Sequence, residues 1–540
     1  MSRHGVSREV GKEWFQDPLS LQEDAVKRFI ARHADKILGV LSGFDRLVLR
    51  GTLRRLAYVE GLGKFLNWRG VLLKDFGAFA EAMTARVRAA SEAEARGLNR
   101  PIVYVQSSRQ NKEQVALEIA ERDGIQEGLI AVIECVEPCV TFDIHRNRGT
   151  KRLDLVSRVR KCLHVYQYWI DPIFGLMNAR IQTWLPFNVQ VCLNGREWLS
   201  REMDRRGLGY RRWDNSFVGL DDIAQAQRLM DEQLGMDWAQ ALDRIALRLN
   251  PAHAPLFGDD APGYYWSVYQ SEWATDVMFR SSQALAEVYA PLVLHGITTF
   301  GSADVMRFLG RRVRSDFSGE IVSDFKDRAE GVRIKHRVDS NSLKGYDKSS
   351  ILRIETTIND PQAFTVFRPK EGGSEEDCSW RTMRRGIADL YRRAQVSQAS
   401  NERYLDALSA VDTSTPLGQL ISGVCQPTTW NGKRVRALRP WAKEDMPLLQ
   451  AVARGEFHLR GFRNRDLAVL LGAPPATDNL SRRRHSARLT RKIRLLRAHG
   501  LIKKLGTSHR YVLTTQGHDI IPAILTTHRV SLQQLQSLAA

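Results

Sequence analysis

Asn464-Arg465-Asp466-Leu467-Ala468-Val469-Leu470-Leu471 opens the stretch on which the rest of the reading turns. Its apolar spacing predicts a short amphipathic helix, with Asn464 as N-cap and Gly472, Pro474 and Pro475 ending it. A second helix is expected from about Ser481 to His499, stopped by Gly500. At ~100° per residue, Ser486, Leu489, Ile493 and Leu496 fall on one stripe, and Arg484, Arg488, Arg491, Lys492 and Arg494 lie away from it. Leu501-Ile502-Lys503-Lys504-Leu505, a turn at Gly506-Thr507-Ser508, and Arg510-Tyr511-Val512-Leu513-Thr514 then predict a β-hairpin. A closing helix follows from about Gln516.

This succession over roughly the last 80 residues resembles a winged helix of the MarR-like kind. The resemblance implies duplex DNA as partner, with His509 and Arg510 at the base of the wing. Charge points the same way. No Asp or Glu lies between Asp478 and Asp519, while Arg482, Arg483, Arg484, Arg488, Arg491, Lys492, Arg494, Lys503, Lys504 and Arg510 do. A solvated helix face ordinarily mixes signs; a one-sign face suits phosphate contact and counterion release.

The chain has 540 residues and a net charge of +19. Residues 430–540 hold 21 Lys or Arg against 6 Asp or Glu, so the basic balance belongs mainly to this module. No apolar run approaches ~18 residues, and no secretory signal opens the chain, so no membrane partner is expected. Six scattered cysteines fit a reducing, cytoplasmic setting.

The expected fold class is α+β: a mixed α/β body followed by the winged helix. Its expected divisions are a helical region over 1–99, a mixed α/β domain over 100–250, a second α+β region over 251–425 and the basic module over 430–540. Within the first, a short strand is read at Arg46–Arg50 and a long helix at Phe76–Arg96. Within the second, Ile102–Val105 and Leu129–Val136 flank a helix and predict a parallel pair. A further strand is read at Val140–His145. Gln426-Pro427-Thr428-Thr429 reads as a linker. The aromatic run Tyr264–Trp273 reads first as core and second as a stacking surface for single-stranded DNA.

A β-meander over 331–368 holds the best candidate for chemistry. A two-residue turn at Ser349-Ser350 pairs Lys348 with Ile351, Tyr346 with Arg353 and Lys344 with Glu355. Alternation then puts Lys344, Tyr346, Lys348, Arg353 and Glu355 on one face and Leu343, Leu352, Ile354 and Ile358 on the core face. The polar face is expected to meet solvent or substrate. Tyr346 is the candidate attacking group, Lys344 and Arg353 hold phosphate, and Glu355 ligates Mg²⁺ or Mn²⁺. Tyr346-Asp347-Lys348 with Arg353-Ile354-Glu355 resembles a segment of rolling-circle replication initiators, which implies strand nicking by a mobile-element protein. The paired-histidine metal motif of those proteins has no counterpart here. Cys135, Cys139, Cys162 and His164 form a weaker zinc candidate, and Glu134, Glu137, Asp143 and Asp154 a weaker Mg²⁺ candidate. The competing class is a non-enzymatic regulator with a large sensing body.

Overall fold

Ile37–Thr52 is one long strand, β1, where only a short strand in a helical region was expected. Its apolar residues Leu41, Phe44, Leu47 and Leu49 are buried, so the segment is a core strand. Glycines let a helix lie close against it. A Cβ on Gly43 would meet Met230 Cε at 1.9 Å, and one on Gly39 would meet Ile223 Cδ1 at 2.6 Å. Those two contacts come from the helix Ile223–Leu234.

The computed structural model describes residues 23–258, 261–311, 319–328, 331–370, 373–374, 377–409, 417–454, 457, 461–472, 478–504 and 509–529. The fold is mixed α/β with a large sheet. After β1 come β2 (Ile102–Val105), β3 (Gly128–Asn147), β4 (Arg152–Asp171), β5 (Gly175–Gln182) and β6 (Val189–Asn194). Then follow β7 (Tyr210–Trp213), β8 (Ser216–Leu220), β9 (Tyr265–Phe279), β10 (Ile321–Arg328), β11 (Gly331–Val338), β12 (Asn341–Lys348) and β13 (Ile351–Ile358). Two units divide the chain, each built from separated pieces: residues 38–280 with 340–398, and 1–37 with 281–339 and 399–540. These units interleave, unlike the consecutive divisions expected.

In the unit of residues 38–280 and 340–398, strands lie in the order β12, β13, β9, β1, β6, β5, β4, β3, β2. Strands β2 and β3 are parallel, joined through the helix Lys112–Arg122. The segments Leu129–Val136 and Val140–His145 are one strand, because Pro138 keeps its place in the ladder opposite Lys161. Helices Phe76–Gly97, Gly195–Arg205, Ile223–Leu234 and Trp238–Leu249 contribute Phe76, Val87, Trp198, Leu229 and Leu242 to one core. Each such side chain stabilises the fold by about 1.5–3 kcal/mol. Along β9 the aromatic run divides: Trp266 and Trp273 are buried, while Tyr265 and Tyr269 are exposed. The expected meander ends at Ile358, since Thr365–Pro369 pairs instead with Cys378–Thr382.

The other unit contains the β10–β11 hairpin and the helices Ser282–Thr299 and Ser302–Phe308. His336 is fully buried there, between Ser323 Oγ at 2.8 Å and Tyr404 Oη at 3.0 Å. Burial brings its pKa down to about 4. A base held neutral this way contributes its full stability above about pH 6.5, and loses it as the pH falls towards 4. The drop is worth about 3 kcal/mol. Denaturant titrations between pH 7 and 4 should therefore show a steeper loss for the unaltered chain than for His336→Asn. Parallel curves would rule this out.

The C-terminal part of this unit runs helix Met446–Val452, helix Asn464–Leu470, helix Asn479–Ala498, paired strands Ile502–Lys504 and Tyr511–Leu513, and helix Thr515–Arg529. Phe462 bridges antiparallel to Tyr511 and extends the two-stranded ladder. The turn Gly506-Thr507-Ser508 lies outside the described residues, as do Pro474 and Pro475. Caps differ from expectation. Asp466 Oδ2 accepts from Arg463 N at 2.8 Å, and Asn464 Nδ2 instead reaches Thr490 Oγ1 at 3.2 Å. Asp478 caps the long helix by accepting from Ser481 N at 2.7 Å. The expected linker is structural: Thr428–Trp430 pairs with Lys433–Val435, and Ile421 and Val424 before it share the core of Leu467, Leu489, Ile493 and Leu496.

Candidate functional site

The β12–β13 register is Lys344↔Glu355, Tyr346↔Arg353 and Lys348↔Ile351, as a two-residue turn requires. Next door, β9 sets Asp276 opposite Arg353 and Glu272 opposite Thr357. Alternation therefore places Lys344, Tyr346, Arg353, Glu355, Glu272 and Asp276 on one face. Asp45 of β1 joins them: Arg353 Nη1 lies 3.3 Å from Asp45 Oδ2. Leu343, Leu352, Ile354 and Ile358 are buried on the opposite face, as expected.

The polar face is not open, which corrects the expectation of a face turned to solvent. Arg353 and Glu355 are buried. Arg196, from the helix Gly195–Arg205, covers this face, with Nη2 3.1 Å from Asp276 Oδ2 and 3.2 Å from the Ala274 carbonyl. That helix starts here because Asn194 Oδ1 accepts from Arg196 N at 2.8 Å. The turn between β7 and β8 closes another side. Asp214 pairs with Lys348 Nζ at 2.6 Å, the Asn215 carbonyl accepts from Arg353 Nη2 at 2.7 Å, and the Asn215 amide donates to Asp45.

Each candidate has a definite position. Arg353 is bidentate to Asp276, with Nε at 2.6 Å and Nη2 at 2.8 Å. It is a structural cation committed to carboxylates and the Asn215 carbonyl, which removes it from the expected role of holding phosphate. Lys344 Nζ donates to Glu355 Oε1 at 2.5 Å and lies 3.5 Å from Glu272. Burial alone would lower its pKa, but Glu355 and Glu272 outweigh that and raise it, so Lys344 stays charged. Tyr346 Oη donates to Glu355 Oε2 at 2.8 Å. Burial, and then the Glu355 charge, push the phenol well above its ordinary pKa. Tyr346, the expected attacking group, is thus a neutral phenol whose proton is donated to Glu355.

Sequence reading missed Asp45, Glu272 and Asp276. One carboxylate oxygen from each of Asp45, Glu272 and Glu355 lies within 4.8 Å of the others, the one such His, Cys, Asp or Glu cluster among the described residues. Asp45, Glu272, Asp276 and Glu355 share this face with the cations Arg196, Lys344, Lys348 and Arg353. Burial pushes the Asp276 and Glu355 carboxyls up, but Arg353 with Arg196, and Lys344 with Arg353, reverse the balance and bring both down. Asp45 and Glu272 end above the ordinary range, first through burial and then through the other carboxylates, Glu355 foremost. Signals existed: Asp45 interrupts an apolar strand, and Glu272 and Asp276 are four apart, hence on one face of β9.

The weaker candidates dissolve into ordinary pairs. Arg88 grips Glu134 through Nε and Nη2, both at 2.9 Å. Lys112 and Arg180 hold Glu137, Arg158 pairs with Asp143, and Asn147 binds Asp154. Cys135, Cys139, Cys162 and His164 are not among the side chains that converge as a metal cluster.

In the C-terminal part, Arg483, Arg484, Arg488 and Arg491 are exposed on the helix Asn479–Ala498, and Lys503, Lys504 and His509 are exposed beyond it. The Arg482 side chain lies outside the described residues. Arg494 is not on the open face, since it packs over the Trp430 ring at 5.9 Å beside Arg497 at 4.8 Å. Lys492 is half-buried, and Arg510 Nη1 donates to the Gly461 carbonyl at 3.2 Å.

No known protein family, curated protein or solved structure matches the chain. Among the described residues no helix is long and apolar enough to cross a membrane. The reading of function therefore rests on the carboxylate cluster and the basic helix.

Proposed function

We propose that this is a cytoplasmic, metal-dependent DNA-processing protein of the mobile-element type, acting in strand nicking, replication initiation or recombination. Asp45, Glu272 and Glu355 hold Mg²⁺ or Mn²⁺, and the C-terminal part docks duplex DNA as a winged helix. The convergence of those three carboxylates carries the reading. Hard divalent cations take carboxylate oxygens, and a cation here would relieve the repulsion that raises Asp45 and Glu272. Such an ion neutralises a phosphodiester and lowers the pKa of bound water. Lys344 stays charged between Glu355 and Glu272 and holds these two carboxylates at the cluster. Tyr346 orients Glu355 by its hydrogen bond. The order of helices and paired strands, the Phe462–Tyr511 bridge and the exposed Arg484, Arg488 and Arg491 support the winged-helix part.

One observation favours the non-enzymatic alternative. Lys344 Nζ already bridges Glu355 and Glu272, so the cluster is partly neutralised without a metal. The two readings part on cation binding. Folded carboxyls with raised pKa values bind protons more tightly than unfolded ones, so they oppose folding once ionised at higher pH. A divalent cation should therefore raise the melting temperature more at pH 8 than at pH 5. At 100 times its Kd it adds about 2.7 kcal/mol. Asp45→Asn with Glu272→Gln should abolish that shift and all cleavage of duplex or single-stranded DNA. A melting temperature indifferent to Mg²⁺ and Mn²⁺ at both pH values would leave the regulator reading.

A further inference from the structure

The β3–β4 pair continues far beyond its neighbours, with paired residues from Gly128↔Ile170 to Asn147↔Arg152. Strand β5 covers β4 only from His164 to Asp171. From about Cys139↔Arg160 outwards the two strands run on for roughly 25 Å at ~3.3 Å per residue; the inner part packs on the core through Phe142, Ile144 and Leu155, and the part from His145↔Asp154 to the turn is the mostly exposed arm. From Cys139 to Arg160 the ribbon carries six Lys or Arg and two Asp. Arg158 and Arg160 share Asp143 at 3.1 and 3.8 Å. Arg146, Arg148, Lys151 and Arg152 are exposed at the tip, and no ion pair holds them among the described residues. The tip is ordered: Asn147 Oδ1 accepts from Gly149 N at 3.0 Å and Thr150 N at 3.1 Å, and Lys151 takes φ 56°.

We propose that this arm is a second DNA contact, inserting into the major groove of the duplex. The inference rests on the reading of the chain as a DNA-processing protein. A two-stranded β-ribbon fits the major groove of B-form DNA. Four unpaired cations at its tip are the charge complement of a phosphate backbone. The exposed pair Val140↔Val159 on the neighbouring face offers apolar contact to base edges or sugars. The arm belongs to the same sheet as Asp45, Glu272 and Glu355, so it would fix the duplex relative to the carboxylates.

The test uses the full chain with EDTA and a fluorescent duplex, titrated at several salt concentrations. The variant carries Arg146→Gln, Arg148→Gln, Lys151→Gln and Arg152→Gln; all four side chains are exposed, so its melting temperature should match that of the unaltered chain. Each lost phosphate contact removes ~0.9 from the slope of log affinity against log salt, so the slope should shrink by about 3 to 4 and affinity fall at least ~10-fold at 0.15 M salt. Arg148→Lys with Arg152→Lys should keep the slope. If the variant binds with unchanged slope, the arm is not a DNA contact, though the reading of the chain survives. If the unaltered chain binds no duplex, both fall. If the substitutions affect only binding to phosphatidylserine vesicles, the partner is a lipid surface and the proposal is wrong.

Discussion

Arg353→Ala should destabilise the unit of residues 38–280 and 340–398 by about 3–5 kcal/mol, the usual cost of removing one member of a buried ion pair. Arg353 is fully buried and is the cation that two buried carboxylates share, Asp276 at 2.6 and 2.8 Å and Asp45 at 3.3 Å. Its removal also leaves the Asn215 carbonyl without the donor at 2.7 Å. Equilibrium unfolding in urea measures the loss. The difference between variant and unaltered chain should shrink on acidification. Arg353 and Arg196 lower the Asp276 carboxyl despite burial, so its contribution is present above the ordinary 3.8 and is lost as the pH falls through the lowered value. Removing both partners, as Arg353→Met with Asp276→Leu, should recover only part of the stability, because the buried Arg196 then loses its carboxylate partner Asp276. A loss below about 1 kcal/mol for Arg353→Ala at pH 7 would show the network to be well solvated, and would remove the low-dielectric setting assumed for the cluster.

How much of this site was legible depends on distance along the chain. The Ser349-Ser350 turn fixes the β12–β13 register locally, so Lys344, Tyr346, Arg353 and Glu355 could be put on one face from sequence. Their partners could not. Asp45 lies 308 residues from Arg353, and which strand lies beside β13 is set by the whole sheet, not by the pattern of any one strand. Burial misled for the same reason. Alternation in Leu352-Arg353-Ile354-Glu355 reads as a strand with one wet face, yet Arg196 and the turn at Asp214-Asn215 cover that face. Burial and the neighbouring Glu355 charge keep the Tyr346 phenol neutral, which its place on a polar strand face did not suggest.

Local signals were reliable where they stayed local. Ala-rich periodicity located the helix Phe76–Gly97, and the apolar spacing around Leu467 located Asn464–Leu470. β1 was under-read because its glycines look like breakers, whereas Gly39 and Gly43 mark close approach of a helix. The linker reading of Gln426–Thr429 failed similarly. Proline and threonine there begin a short hairpin whose flanks, Val424 and Val435, are buried in the C-terminal core.

That core sets the boundary of the part proposed to dock DNA, and the expected consequence is large. A fragment of residues 456–540, which holds all of the basic helix, should not fold. It lacks Ile421, Val424, Val435, Leu438, Met446, Leu448, Leu449 and Val452, all buried with Leu489, Ile493 and Leu496. At about 1.5–3 kcal/mol for each such side chain, the loss is as large as or larger than the 5–15 kcal/mol that usually holds a domain together. Polar anchoring goes as well. Arg436 binds Asp445 through two bonds at 2.6 and 2.7 Å, and the Arg436 carbonyl lies 2.8 Å from His499 Nε2 at the end of the basic helix. A fragment of residues 417–540 keeps all of these and should melt cooperatively. Circular dichroism against temperature distinguishes the two fragments. DNA binding alone does not, because a disordered chain with Arg483, Arg484, Arg488 and Arg491 still releases counterions from a duplex. Sequence preference does: only a helix held on its Leu489–Ile493–Leu496 stripe presents arginines at fixed positions to base edges, so competition between duplexes should be selective for 417–540 and flat for 456–540. A sharp melting transition in 456–540 would instead mean that the short core of Phe462, Leu467, Leu496 and Ile521 suffices, and that the preceding residues merely lean on it.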